Sequence, residues 1–342
     1  MKATIREVAR SAGVSETTVS LSFQPNSRIS EATKKKVMRV AGELKYMPNQ
    51  AARNLRQGGS KMLAILVNDI TNPFYARMVR TVEATARARG YNVIVMESQW
   101  VSACEVDAVN RMLEARVQGV IICQCEDSDE GLKLLKRYEV PYIALDSFPI
   151  DYDGPYVAND MIAAGKLAAE HLIEVGCKNP ALVIPKRGRR RFSSFIRLRQ
   201  GFAAVMKSGK IPFGQSQIFN AGLTIGEGQE VFLQILDKMP EVDGILCGND
   251  LCALGVMEAI EKYGYKIAVI GIDDLPVSSL AKISLTSIQQ PCTAVSEQAT
   301  EAIIDGIEKK ESISLQKALT PILIKRNSTL LTGIVKNSMR KH

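Results

Sequence analysis

Apolar residues Ile5, Val8, Ala9 and Ala12 fall at i, i+3, i+4 and i+7, the period of one helical face. Thr4 and Glu7 have the spacing of a capping box that starts such a helix. Gly13 stands where the chain must turn, and Ser15 is placed to cap a second short helix. Two helices joined by a glycine-containing turn make a helix-turn-helix, whose second helix enters the DNA major groove. A third helix, capped by Ser30, repeats the apolar spacing at Val37, Val40, Ala41 and Leu44 and is expected to close a small core. The stretch from Met47 to Arg56 then reads as a short helix with Pro48 in its first turn, and Gln57 to Ser60 as a linker. A helix this short is not stable alone, because isolated helices need roughly 12–15 residues.

From Lys61 the pattern changes. Met62 to Val67 is a continuous apolar run, as in a strand covered on both faces. Tyr75, Met78, Val79, Val82 and Ala86 trace a helical stripe that Gly90 stops. Tyr91–Met96, Gly119–Cys123, Tyr142–Leu145, Ala181–Ile184, Gly244–Cys247 and Ala268–Ile272 read as further buried strands. Helices are expected from about Met161, Ile196, Ile225, Asn249 and Thr293. Alternating strands and helices imply parallel sheets with right-handed crossovers, and this length suits two doubly wound domains better than one. No GxGxxG turn and no P-loop is present, so the dinucleotide and nucleoside-triphosphate readings lose their main signal.

Charge sharpens the picture. The chain has 342 residues and a formal net charge of +8. Residues 1–60 carry eleven lysines and arginines against four acids, so +7 of that excess lies on the small N-terminal piece. That is the footprint of a polyanionic partner when it coincides with a helix-turn-helix. The seven cysteines are scattered and odd in number; Cys123 and Cys125 have no second pair at zinc-ligand spacing, so reduced structural thiols are expected and no metal. With no signal peptide and no apolar run of about eighteen residues, a cytoplasmic protein away from the membrane is expected. His171 and His342 are the only histidines and no nucleophile–base pairing is visible, so no catalytic residue, enzyme activity or cofactor is expected.

These residues resemble the LacI/GalR (lactose-repressor) family of bacterial transcription regulators. TIREVARSAGVSETTVS looks like its reader helices, and ISEATKKKVMRVAGELKYMPNQAARNLR like its third helix and hinge helix. DITNPFY, RVQGVII, AAEHLIEVG, GNDLCALGVM, VIGIDD, LTSIQQP and LIKRNST resemble its core signatures in the family's order. The resemblance implies an α/β protein with an all-α helix-turn-helix domain (1–46), a hinge helix and linker (47–60), and a periplasmic-binding-protein-like core (61–342). That core would hold two doubly wound parallel-sheet subdomains, one of about 61–160 and 292–321, the other of about 161–291 and 322–342. It further implies a repressor that binds a pseudo-palindromic double-stranded DNA operator as a homodimer, its affinity set by a small-molecule effector between the subdomains. The rival from another class is a transporter-type solute-binding protein, which shares the two-domain cleft.

The DNA contacts this resemblance implies are Glu16, Thr17 and Leu21 on base edges, with Thr4, Ser15, Thr18 and Ser20 available to phosphate or base. Leu21 departs from the family's polar or basic residue; it either touches a thymine methyl or packs inward. In the hinge, Ala51 and Leu55 share a face, Leu55 would wedge into the minor groove, and Asn49, Arg53 and Arg56 would flank it. The tail from Lys336 to His342 has no leucine heptads, so no tetramerisation helix is expected.

Ligands of open α/β sheets sit outside the carboxyl ends of the strands. Asp69, Asn72, Phe74, Asp146, Asn249 and Asp273 stand at those ends; the carboxylates and amides suit the hydroxyls of a sugar-like ligand, and Phe74 would supply an apolar wall. The family pattern also asks for an arginine three residues before the pair Gly201-Phe202. Leu198 stands there, flanked by Arg197 and Arg199, of which Arg197 is favoured. Leu223 occupies a position where the family often stacks an aromatic ring. The loop from Lys186 to Arg191 is strongly cationic; it either draws an anionic sugar derivative or is a solvated loop.

Overall fold

The computed structural model describes residues 3–23, 27–47, 59–125, 128–146, 148–149, 151–185 and 193–330. They fall in two compact units, Met1–Lys61 and Met62–His342.

The first unit holds three helices, α1 (Ile5–Ala12), α2 (Glu16–Ser22) and α3 (Glu31–Glu43). Each starts where a hydroxyl side chain captures a free backbone N–H. Glu7 N donates to Thr4 Oγ1 (3.3 Å) while Thr4 N donates to Glu7 Oε2 (2.7 Å). Ser15 and Ser30 accept from Thr18 N and Thr33 N. Gly13 ends α1 with φ +62, a left-handed turn that L side chains rarely adopt. Val8, Ala9, Ala12, Val19, Val37, Val40 and Ala41 form the core, with Ile5, Val14, Phe23 and Tyr46 packed on it. None of these helices exceeds thirteen residues, so their order comes from this shared core rather than from propensity. Leu44 is a correction: it lies at the C-cap of α3 and is 37% exposed, because the helical face that includes Val37 and Ala41 ends one turn earlier.

The second unit contains two six-stranded sheets. The strands are β1 (Met62–Val67), β2 (Asn92–Glu97), β3 (Gly119–Ile122), β4 (Tyr142–Leu145), β5 (Tyr156–Asn159), β6 (Pro180–Ile184), β7 (Ile218–Asn220), β8 (Gly244–Cys247), β9 (Ala268–Ile272), β10 (Thr286–Gln289), β11 (Gln316–Leu319) and β12 (Ile322–Ile324). One sheet runs β11-β5-β4-β3-β1-β2 and the other β12-β10-β9-β8-β6-β7. All pairings are parallel except β10 with β12. The chain therefore passes between the lobes three times: after β5, after β10 and after β11.

The period of two along a strand explains the layers. Leu63, Ile65 and Val67 of β1 join one apolar cluster, while Ala64 and Leu66 join another on the opposite face. The first cluster is completed by α4 (Pro73–Ala88) and α11 (Cys292–Lys309), the second by α5 (Ser102–Glu114) and α6 (Glu130–Arg137). In the other lobe, α7 (Met161–Glu174) and α8 (Ser193–Ser208) cover one face, and α9 (Ile225–Lys238) and α10 (Asp250–Tyr263) the other. Alpha7 and α8 meet backbone to backbone: a Cβ on Gly201 would lie 2.0 Å from Ile162 O, and one on Gly165 2.0 Å from Leu198 O. The apolar runs formed strands within a residue of their expected bounds, but β2, expected to be buried, is an edge strand with no buried residue. Helix α8 starts at Ser193, before the expected Ile196, and β5, β7, β10, β11 and β12 had no expectation attached.

Candidate functional site

Two places collect chemistry. On the first unit, α2 turns Val19 and Ser22 into the core and leaves Thr17 exposed, with Glu16, Thr18, Ser20 and Leu21 partly exposed. Leu21 is thus neither buried nor fully free. The hydroxyls of Thr4, Ser15 and Thr18 already serve the caps: Ser15 Oγ and Thr18 Oγ1 lie 2.9 Å apart, and Thr4 Oγ1 donates to Glu7 Oε2. Sequence reasoning missed Arg6. Its Nε donates to Glu16 Oε1 (3.2 Å), joining α1 to the first residue of the reader helix. The side chain is 79% exposed, and an arginine has donors beyond Nε to offer. The only advance signal was opposite charge ten residues apart across a turn. Asn49, Ala51, Arg53, Leu55 and Arg56 lie outside the described residues, as do the cationic loop from Lys186 to Arg191 and the tail from Lys336.

In the second unit, a cavity opens at the carboxyl ends of the strands of both sheets. Asn72, Phe74, Asp146, Leu223, Asn249 and Asp273 all line it, joined by Tyr75, Trp100, Met161, Ser194, Phe195, Gly248 and Gln290. The space among them is about 50 Å³. Each polar group is positioned by its element. Asn72 caps α4, accepting from Phe74 N (3.0 Å). Asn249 caps α10, accepting from Cys252 N (2.9 Å) and donating to Leu223 O (3.0 Å). Asp146 and Asp273 follow β4 and β9 directly, with φ of +66 and +114. Such backbone is uncommon for residues with a side chain and clusters at ligand sites.

Two expected residues stand apart from the cavity lining. Asp69 is turned back into its own loop, where Oδ1 accepts from Thr71 N (2.9 Å) and Thr71 Oγ1 (2.6 Å). Arg197 is held over the Phe148 ring, 4.8 Å from its centre, and donates to Ser193 Oγ (3.2 Å). Leu198 is fully buried against α7, so the close approach at Gly201 fixes which way this turn of α8 faces.

Burial dominates the electrostatics. It raises the Asp146 carboxyl to about 6 against the pull of Asn159 Nδ2, which donates to Oδ1 (2.8 Å). Asp273 is pushed well above the usual carboxylate range by burial and then by the neighbouring charges of Asp250 and Asp146; Gln290 and Arg77 act the other way. No lysine, arginine or histidine is among the described lining residues. Among the described residues no group of three or more His, Cys, Asp or Glu is placed to hold a metal ion, and no helix is long and apolar enough to cross a membrane.

Comparison with known proteins decides the family. Residues 4–49 match the bacterial regulatory proteins of the lacI family, and residues 60–325 match the periplasmic binding proteins and sugar binding domain of the LacI family. The chain belongs to the LacI family. Its relatives there include the ribose operon repressor of Halalkalibacterium halodurans, 30% identical over 95% of this chain and 97% of that one. Another is the HTH-type transcriptional repressor PurR of Vibrio parahaemolyticus, 29% identical over 95% and 98%. The structure is similar to that of the lac repressor dimer bound to operator and the anti-inducer ONPF, with a TM-score of 0.83, 26% identity, and 96% and 100% of the two chains covered. LacI-family membership makes this a DNA-binding transcriptional regulator with an effector-binding core. The transporter reading is set aside, because residues 4–49 match regulatory proteins.

Proposed function

We propose that the chain is a cytoplasmic repressor that binds a pseudo-palindromic operator as a homodimer and is reset by a sugar-like effector held at Asn72, Asp146, Asn249 and Asp273. Arg6, Glu16, Thr17, Ser20 and Leu21 would meet the major groove, and the hinge of residues 47–60 would carry Leu55 to the minor groove. One observation carries the effector half: a single cavity is lined from both sheets at once, so an occupant acts on both lobes. Its present space is far below the roughly 300–1,000 Å³ typical of small-molecule clefts, so a ring-sized ligand must part the lobes. The three crossings are the natural hinges for that motion. The resulting shift in operator affinity is a coupling free energy, typically about 1–3 kcal/mol.

The test is to sequence genomic fragments retained by the purified chain. Enrichment of one pseudo-palindrome supports the reading, and retention without any shared sequence removes it. On the enriched site, Arg6→Ala is expected to weaken binding by about 1–3 kcal/mol and to relax the base preference at one position in each half-site, as loss of a bidentate base contact does. A uniform loss across sequences, with a shallower salt dependence, would instead place Arg6 on phosphate.

Asp146 supplies a stability test of the cleft. Its folded pKa of about 6 lies above the ordinary 3.8, so its contribution is fully present below about pH 4 and is lost as pH rises through 6. Asparagine tolerates the same positive φ and has no charge to bury. Asp146→Asn is therefore expected to match the parent near pH 4 and to exceed it by roughly 1–2 kcal/mol at pH 8 in denaturant titrations, a figure discounted for partial exposure. It should also lose effector response. Equal stability at pH 8 would show that the carboxylate is solvated rather than buried.

A further inference from the structure

Among the described residues, the cleft carries acidic groups that no cation in its lining offsets. Asp146 and Asp273 both line it, and no described cation does. Two further oxygens lie beside them without a partner: Gln290 Oε1, on a side chain only 7% exposed that lines the cavity, and Asn159 Oδ1, on a residue only 4% exposed. The amide nitrogens of these same residues are committed to the carboxylates, Gln290 Nε2 to Asp273 Oδ1 (2.7 Å) and Asn159 Nδ2 to Asp146 Oδ1 (2.8 Å). Their oxygens are therefore left for something that donates. The neutral donors in the lining, among them the Asn72 amide, the Ser194 and Tyr75 hydroxyls and the Trp100 indole N–H, do not offset charge.

Among the described residues, the surrounding ions do not fill the gap. Arg77 tempers Asp273 from behind, but its Nη2 donates to Asp274 O (3.3 Å). Arg326 is spent on Asp274 Oδ1 (2.6 Å), and Arg197 on Phe148 and Ser193. Asp250 adds negative charge behind Asp273. The remaining walls are aromatic: Tyr75 makes edge contacts with Phe74 (5.2 Å) and Trp100 (6.0 Å), and all three line the cavity. Carboxylates with aromatic walls are the surroundings in which an organic cation is held, since ring faces attract positive charge.

We propose that the effector carries an ammonium group, as an amino sugar or related aminated polyol does, and that this group seats between Asp146 and Asp273 with Gln290 Oε1 taking one of its protons in a hydrogen bond. The proposal rests on the effector reading above and narrows its chemical class. An ammonium has three donors and no acceptor, which suits those acidic groups and unpartnered oxygens. A neutral sugar supplies donors but no positive charge to set against the two acidic groups of the lining. An anionic sugar adds negative charge beside them.

Charge matching predicts a second readout. Burial raises the Asp273 carboxyl well above the usual carboxylate range, and an ammonium paired with its ionised form favours loss of its proton to solvent. The experiment is calorimetric titration of the full chain with matched sets: glucosamine, glucose and glucose 6-phosphate, then ethanolamine, ethylene glycol and glycolate. The amine is expected to bind at least tenfold tighter than the other members of at least one set. Titration in buffers of different ionisation enthalpy should show proton release for the amine alone. A neutral or anionic member that binds as tightly, or a series in which no amine binds, overturns the assignment. The underlying reading fails differently: it falls if no small-molecule fraction of a bacterial extract, whether retained on cation exchanger, on anion exchanger or on neither, changes operator affinity. Activity confined to the unretained or anionic fractions would keep that reading and end the ammonium proposal.

Discussion

Gly201→Ala is expected to destabilise the second lobe by about 3 kcal/mol or more, the upper end of what overpacking costs. The added methyl would lie 2.0 Å from Ile162 O and 2.9 Å from Ile162 C. Both are backbone atoms of α7, so no side-chain rotation relieves the clash and the helices must separate. That opens a layer in which Ala164, Ala168, Leu198 and Phe202 are buried. The loss works against helix propensity, which alone would favour alanine by about 1 kcal/mol. Gly226→Ala in α9 isolates that opposing term, because a Cβ there meets nothing within 4 Å. Denaturant titration of both variants should therefore show opposite signs. The effect reaches the cleft as well, since Ser194 and Phe195 at the start of α8 line it and shift with the helix. A Gly201→Ala protein within 1 kcal/mol of the parent would mean that α7 and α8 are not in backbone contact.

That crossing also shows what the sequence could and could not convey. Strands β1, β3, β8 and β9 are buried on both faces, so their apolar runs stand out from one-dimensional pattern alone. Strand β11 is a four-residue, largely exposed edge strand with the sequence QKAL, and nothing in that composition separates it from loop. The cleft residues legible in advance, Asn72, Asp146, Asn249 and Asp273, follow strand ends or cap the next helix, where the chain geometry is set locally. Asp69 stands at a strand end too, but a threonine two residues on captures it in a turn. Trp100, Phe195 and Gln290 reach the cavity through tertiary packing, which leaves no periodic trace. The direction of Arg197 depended on the helix face that Gly201 and Leu198 share, and that face is fixed only by α7. The Arg6–Glu16 pair depended on the angle between two helices.

Asp250→Ala is expected to cost about 3–5 kcal/mol, although Asp250 is not among the cavity-lining residues. Its fully buried carboxylate gathers three donors: Leu275 N (2.7 Å) and Ser278 Oγ (2.6 Å) on Oδ2, and Ser287 Oγ (2.5 Å) on Oδ1. These tie the first turn of α10 to strand β10 and to the loop after β9 that carries Asp273. Gly271 lies directly beneath, where a Cβ would be 2.2 Å from Oδ1, so the carboxylate occupies the room a side chain would need. Removing it strands a buried N–H and frees the loop, so effector affinity should fall together with stability. Asp250→Asn keeps the shape but loses acceptor capacity, and is expected to cost about 1–2 kcal/mol. The pH dependence separates the forces. Burial raises this carboxyl to about 6, against hydrogen bonds that pull it down. A raised folded pKa means stability that is full below about pH 4 and lost as pH passes 6. The gap between parent and Asp250→Ala should therefore be wider at pH 5 than at pH 8. A gap that instead grows toward pH 8 would show that the three donors outweigh burial, and that the loop is held by an ionised carboxylate.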